Sequence, residues 1–84
     1  MEKEQILPII NQIFVHELDN PAIVLHENTT AADIREWDSL THIQLVYAIE
    51  KHFKIRFSTA EITRWKNIGE LSDSIAGRLT KNKP

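Results

Sequence analysis

The stretch Asp38-Ser39-Leu40-Thr41-His42-Ile43-Gln44-Leu45-Val46-Tyr47-Ala48-Ile49-Glu50-Lys51-His52-Phe53 decides how this chain folds. Leu45, Ile49 and Phe53 recur at every fourth residue, with Val46 beside them, so they define one face of an α-helix. That face is predicted to point into a core. Leu40, Ile43 and Tyr47 lie to one side and widen the apolar arc beyond what a helix of this length needs for its own packing. This surplus is predicted to sit nearer solvent. Asp38 and Ser39 are both residue types favoured at a helix start.

Working outward toward the N-terminus, residues 22–38 carry no comparable period. Ile23, Leu25, Ile34 and Trp37 are scattered among polar residues and are expected to pin a long loop, with Thr29, Thr30 and Asp33 supplying turn chemistry. Before it, Ile6, Ile10, Ile13, Phe14 and Leu18 fall on one helical face, and Asp19-Asn20-Pro21 reads as a stop. Pro8 is tolerable in the first turn and kinks the helix if residues before it are also helical.

Toward the C-terminus, Phe53-Lys54-Ile55-Arg56-Phe57 alternates but has no partner strand, so an extended connector is expected. Ser58-Thr59-Ala60-Glu61 has the form of a capping box opening a short helix. Asn67-Ile68-Gly69-Glu70 is a second start signal, and Leu71, Ile75 and Leu79 share a face beyond it. The expectation is an all-α fold, a small four-helix bundle with a long first connection and a short third helix. Its 84 residues suit one domain, ordered over about residues 3–80, with 81–84 as a tail around Lys81 and Lys83.

Composition narrows the functional classes. The chain has no cysteine, which excludes disulfides and thiolate metal sites. Ten basic against twelve acidic residues give a net charge of −2, and no basic cluster suggests nucleic acid. No apolar run approaches a membrane span and the N-terminus is too charged for a signal peptide, so the cytoplasm is the expected address. His16, His26, His42 and His52 lack metal-site spacing. His42 falls on the core side of its helix, where a hydrogen-bonded structural role is expected. Trp37 is expected to anchor the loop, and Trp65 is either a core edge or a docking residue.

The chemistry concentrates at Ser39. Free backbone N–H groups and the positive end of the helix dipole are expected to converge there and favour an anion on its hydroxyl. Capping alone is the simpler reading. Ser39, His42 and Asp38 also invite comparison with a hydrolase triad, but they are sequence neighbours, no G-x-S-x-G elbow is present, and a chain this short leaves little room for a cleft.

The Asp38-Ser39-Leu40 triplet at a helix start, followed by Ile43, Leu45, Val46, Ile49, Glu50 and Phe53, then Ile55, Phe57 and Ile68-Gly69-Glu70-Leu71, resembles the acyl carrier protein family. The resemblance covers roughly residues 3–80. It implies a non-catalytic carrier of acyl-carrier fold. Ser39 matches the serine that receives 4′-phosphopantetheine from coenzyme A, by the action of a phosphopantetheinyl transferase. Asp38 matches the aspartate that assists near the transferase's magnesium ion. The arm's thiol then holds an acyl, aminoacyl or polyketide-type group as a thioester. Implied partners are that transferase, an acyl- or aminoacyl-loading ligase, and acyl-transferring or condensing enzymes, met by a monomer without membrane insertion.

The resemblance also places the docking side on Leu40, Ile43, Gln44, Tyr47, Glu50 and Lys51, although Ile43 and Tyr47 packing against the long loop is the competing expectation. Carriers of primary fatty acid synthesis usually have glycine and alanine near Glu36 and Trp37, and several acids on the second helix. Here Thr41, Gln44 and Lys51 stand instead, and only Glu50 is acidic between Ser39 and Phe53. That departure implies a specialised carrier whose docking depends on apolar contact more than on charge. The remaining alternative is an interaction module of the same fold without a prosthetic group.

Overall fold

The computed structural model describes residues 3–81, and these form helices without strands. Helix α1 spans Lys3–Leu18, α2 Ser39–Phe53, α3 Thr59–Arg64 and α4 Ile68–Lys81, with a single 3-10 turn at Ala31–Asp33 in the long connection. The tail expected over 81–84 lies outside the described residues, except that Lys81 closes α4. Helix α1 packs on both α2 and α4.

Each helix end follows from its local sequence. Helix α1 stops where Asp19 turns left-handed, at φ 52°. Pro8 lies inside α1, beyond the first turn, so the helix forgoes the backbone bond that a donor there would make to Glu4. Helix α2 closes at Lys54, also left-handed at φ 59°, with its N–H bonded to the Glu50 carbonyl. Residues 55–58 form a connector without regular structure, which begins two residues later than the alternation suggested, because Phe53 belongs to α2 and Lys54 is left-handed. Ser58 and Glu61 cap each other reciprocally at the start of α3, and Asn67 Oδ1 accepts the Glu70 N–H at the start of α4.

The core collects Ile6, Ile10 and Phe14 of α1, Leu45 and Ile49 of α2, and Ile68, Leu71 and Ile75 of α4. Ile23, Leu25 and Ile34 pin the long loop over it, as expected, and Ile55 closes the far end. Three expected core residues fall short. Ile13, Phe53 and Leu79 are half-buried. Phe53 is the last residue of α2, its ring edge against His52, where the chain turns away through Lys54.

The loop is fastened by polar contacts as well. Asn11 on α1 donates to the Ile23 carbonyl at 3.1 Å and accepts the Leu25 N–H at 2.6 Å. Thr29 Oγ1 accepts the His26 N–H, and Asp33 bonds the Thr30 N–H, which is the turn chemistry expected of both. The Thr29 and Glu27 carbonyls then accept the N–H groups of Ile68 and Gly69, at 2.9 and 2.7 Å. These donors belong to the first turn of α4 and have no partner within their helix. A Cβ at Gly69 would stand 3.0 Å from the Glu27 oxygen, so any side chain there would push the loop back by a few tenths of an ångström.

Candidate functional site

At the start of α2, Asp38 is the capping residue and Ser39 the first helical one. Asp38 Oδ1 accepts the N–H groups of Leu40 and Thr41 at 3.0 and 2.9 Å. Thr41 answers by accepting the Asp38 N–H on Oγ1 at 2.8 Å and donating its hydroxyl to the Glu36 carbonyl at 2.7 Å. The role of Thr41 escaped the sequence reading. Its signal is the three-residue spacing Asp38-x-x-Thr41, a capping box with threonine in place of the usual glutamate.

This arrangement separates two duties that the sequence left on adjacent residues. Capping belongs to Asp38. Ser39 is exposed, and its hydroxyl has no hydrogen-bond partner among the described residues. The structure also corrects the expectation of several free N–H groups at this terminus, because Asp38 occupies those of Leu40 and Thr41. The Ser39 N–H is the one left beside the hydroxyl.

Behind Ser39 the loop is held by an aromatic chain. Phe14 of α1 meets Trp37 edge-on at 5.1 Å between ring centroids. The Trp37 indole donates to His42 Nδ1 at 3.0 Å. An indole N–H only donates, so Nδ1 accepts, and Nε2 carries the hydrogen that reaches the Ile62 carbonyl at 3.2 Å. His42 therefore joins the loop to α3 as a neutral ring at the core edge, in the structural role expected of it. Trp65 continues the chain, edge-on to His42 and Phe57, with its N–H on Ser74 Oγ at 2.7 Å. Trp65 is thus a core edge. Among the described residues no cluster of His, Asp and Glu is placed to hold a metal ion.

The sequence profile of the phosphopantetheine attachment site family matches residues 9–75. The chain belongs to this family. Among solved structures it is similar to the holo acyl carrier protein from Geobacter metallireducens, determined in solution by NMR. The two share 39% identity at a TM-score of 0.85, over 89% of this chain and 86% of that one. No curated protein matches. The protein is a phosphopantetheine carrier, not a catalyst.

The residues present fit that prosthetic group. A phosphodiester on Ser39 needs an exposed hydroxyl free of internal bonds, and this carrier has one at a helix start whose cap survives without it. Beside it, Leu40, Ile43 and Tyr47 are 70%, 59% and 66% exposed, a stripe along the outer face of α2. The competing expectation, that Ile43 and Tyr47 pack against the loop, is not met. Gln44 and Lys51 are exposed next to the stripe. Glu50 is half-buried at the border of the stripe, and its Oε2 accepts the Phe57 N–H at 2.9 Å and fastens the connector. No described helix of the carrier is long and apolar enough to cross a membrane.

The cap carries a pH dependence. The Thr41 N–H bonded to Asp38 holds its carboxyl below the ordinary 3.8, with the Thr41 hydroxyl and Leu40 N–H adding to this against some desolvation. A folded-state value below the unfolded one stabilises above the unfolded value and is lost as pH falls through the folded one. Asp38→Ala should therefore melt below wild type at neutral pH, with the gap closing as pH drops below 3.8. Melting curves at a series of pH values check this. A gap undiminished in strong acid would mean that the carboxylate charge is not what caps α2.

Proposed function

We propose that Ser39 is the attachment point of 4′-phosphopantetheine and that Asp38 serves the transferase that installs it. The observation carrying this reading is the division at the helix start: Asp38 caps α2, which leaves the Ser39 hydroxyl exposed and without a structural task. Asp38 Oδ1 makes all the capping bonds, so Oδ2 stays available to a magnesium ion brought by the transferase. When bound, the arm supplies a terminal thiol on which an acyl, aminoacyl or polyketide-type group is held as a thioester. The chain's own residues do the rest. Asp38 and Thr41 fix the helix end, Trp37 and His42 fix the loop before it, and α2 presents a surface to partners.

Tethering keeps the cargo at roughly mM effective concentration before a docked enzyme. The partners proposed are a phosphopantetheinyl transferase, a loading ligase, and acyl-transferring or condensing enzymes, met in the cytoplasm by a monomeric, single-domain carrier. The absence of acids on α2 apart from Glu50 supports a specialised pathway over bulk lipid synthesis. Incubation with coenzyme A, magnesium and a broad-specificity transferase tests the assignment, with a gain of one phosphopantetheine at Ser39 as the expected result in peptide mass spectrometry.

Docking is assigned to Leu40, Ile43, Gln44, Tyr47 and Lys51, with Glu50 at the border. Tyr47 is exposed, so Tyr47→Ala should shift stability by no more than about 0.5 kcal/mol. Transfer to a partner enzyme should nevertheless slow about tenfold, as expected for loss of an aromatic anchor. Thermal melts and transfer kinetics on the same preparations check both halves. Unchanged transfer, or an unfolded variant, removes Tyr47 from the docking surface.

A further inference from the structure

The exposed stripe on α2 does not end with its apolar residues. Leu40, Ile43 and Tyr47 are followed, at the same helical spacing, by Lys51 and then Lys54 at the cap. A rise of 1.5 Å per residue puts Lys51 roughly 16 Å along the axis from Leu40. There the surface becomes concave. Tyr47, Glu50, Lys51 and Lys54 line the hollow with Ile55 and Arg56 of the connector and Arg78 of α4, four cations against one acid.

The charges in this hollow are unbalanced. Lys51, Lys54 and Arg56 are exposed, and no carboxylate pairs with them among the described residues. Glu50 in the lining accepts the Phe57 N–H and keeps its charge, and Glu61 pairs with Arg78, so Lys51, Lys54 and Arg56 still outnumber the one acid among them. From Ser39 to Phe57 the chain carries Lys51, Lys54 and Arg56 against Glu50 alone, although the protein as a whole has a net charge of −2. Unpaired cations thus collect at one end of an apolar ridge that begins beside the attachment serine.

We propose that this carrier docks with its charge reversed from the acidic pattern, onto a partner enzyme that presents an apolar cleft bordered at one end by aspartate and glutamate. The proposal rests on α2 being the docking helix and adds the chemistry of what meets it. Complementary charge at a rim sets encounter rate and rejects wrong partners more than it sets affinity. An enzyme whose rim is basic would meet Lys51, Lys54 and Arg56 as like charges, so the same cluster excludes partners built for acidic carriers. The simpler role for Lys51 and Lys54 is to offset the negative end of the α2 dipole. Arg56 lies outside the helix and is not explained by that role.

The test uses the full-length holo protein, labelled with 15N and titrated with two synthetic amphipathic helical peptides. They share one apolar face, with glutamates at one end of the first and lysines in their place on the second. The glutamate peptide should bind at least about tenfold more tightly at low salt. Its shifts should run from Leu40 to Arg56, and the preference should fade at high salt. The triple variant Lys51→Glu, Lys54→Glu, Arg56→Glu should invert the preference, and the triple glutamine variant should abolish it. Equal binding of both peptides, or shifts elsewhere on the surface, overturns the proposal. So does a glutamate triple that melts lower yet keeps the wild-type preference, which would assign the cations to the helix end. Tighter binding to phosphatidylglycerol vesicles than to the glutamate peptide would overturn it in favour of a membrane surface. Loading of Ser39 is scored separately by mass, so a failed charge preference on a loaded protein leaves the carrier assignment standing.

Discussion

Ser39→Ala should yield a folded protein that gains no mass when incubated with coenzyme A, magnesium and a phosphopantetheinyl transferase. The loss should be complete, because no other hydroxyl occupies the same position after a capping Asp38. The fold should not notice. The Ser39 hydroxyl makes no hydrogen bond among the described residues and is exposed, and alanine is the better helix former, so stability should change by no more than about 0.5 kcal/mol. Helical circular dichroism, melting temperature and intact mass together give the result. Removing the hydroxyl separates attachment from capping in a way that sequence neighbours rarely permit. If wild type stays unmodified by several transferases, or if the alanine variant is still loaded, Ser39 is not the attachment residue.

Phe14→Ala should be the most damaging single substitution in the core. Phe14 is fully buried on α1 and meets Trp37 edge-on, so it supports both the bundle and the loop leading to Ser39. Truncating a buried phenylalanine costs about 3–5 kcal/mol, against a total of roughly 5–15 kcal/mol for a domain. The melting temperature should fall by more than about 10 °C, if the variant folds at all. Phe53→Ala is the internal control. Its half-buried ring at the end of α2 should cost less than half as much. Equal losses at the two positions, measured by denaturant titration, would show that the end of α2 is packed as tightly as its middle.

Much of this fold was legible in the sequence because its signals are local. Ile6, Ile10 and Phe14, or Leu45 and Ile49, announce a helix by spacing alone, and Ser58 with Glu61 announces a helix start within four residues. Phe53 and Ile13 were assigned to the core because periodicity fixes the face of a helix but not how far its neighbours extend. The start of α2 was legible as a helix terminus but not as to its arrangement. Ser39 and Asp38 were equal candidates for the cap until the bonds from Leu40 and Thr41 to Asp38 separated them. The bond from His42 to the Ile62 carbonyl crosses twenty residues of chain and joins a side chain to backbone, so no motif encodes it. The bond from the Phe57 N–H to Glu50 is hidden for the same reason, since it joins main chain in the connector to a side chain on α2.

The two bonds that carry Ile68 and Gly69 to the Thr29 and Glu27 carbonyls join points about forty residues apart in the chain. Everything between them, including Ser39, the stripe on α2 and all of α3, lies inside a ring that they close. Small domains commonly close such rings with disulfides, which stabilise by restricting the unfolded chain. This chain has no cysteine, and its ring is fastened by backbone alone. Such a fastening is indifferent to the reducing power of its surroundings, and it opens and closes without chemistry. A protein whose working group ends in a thiol can thus hold its shape without a cysteine of its own to capture it.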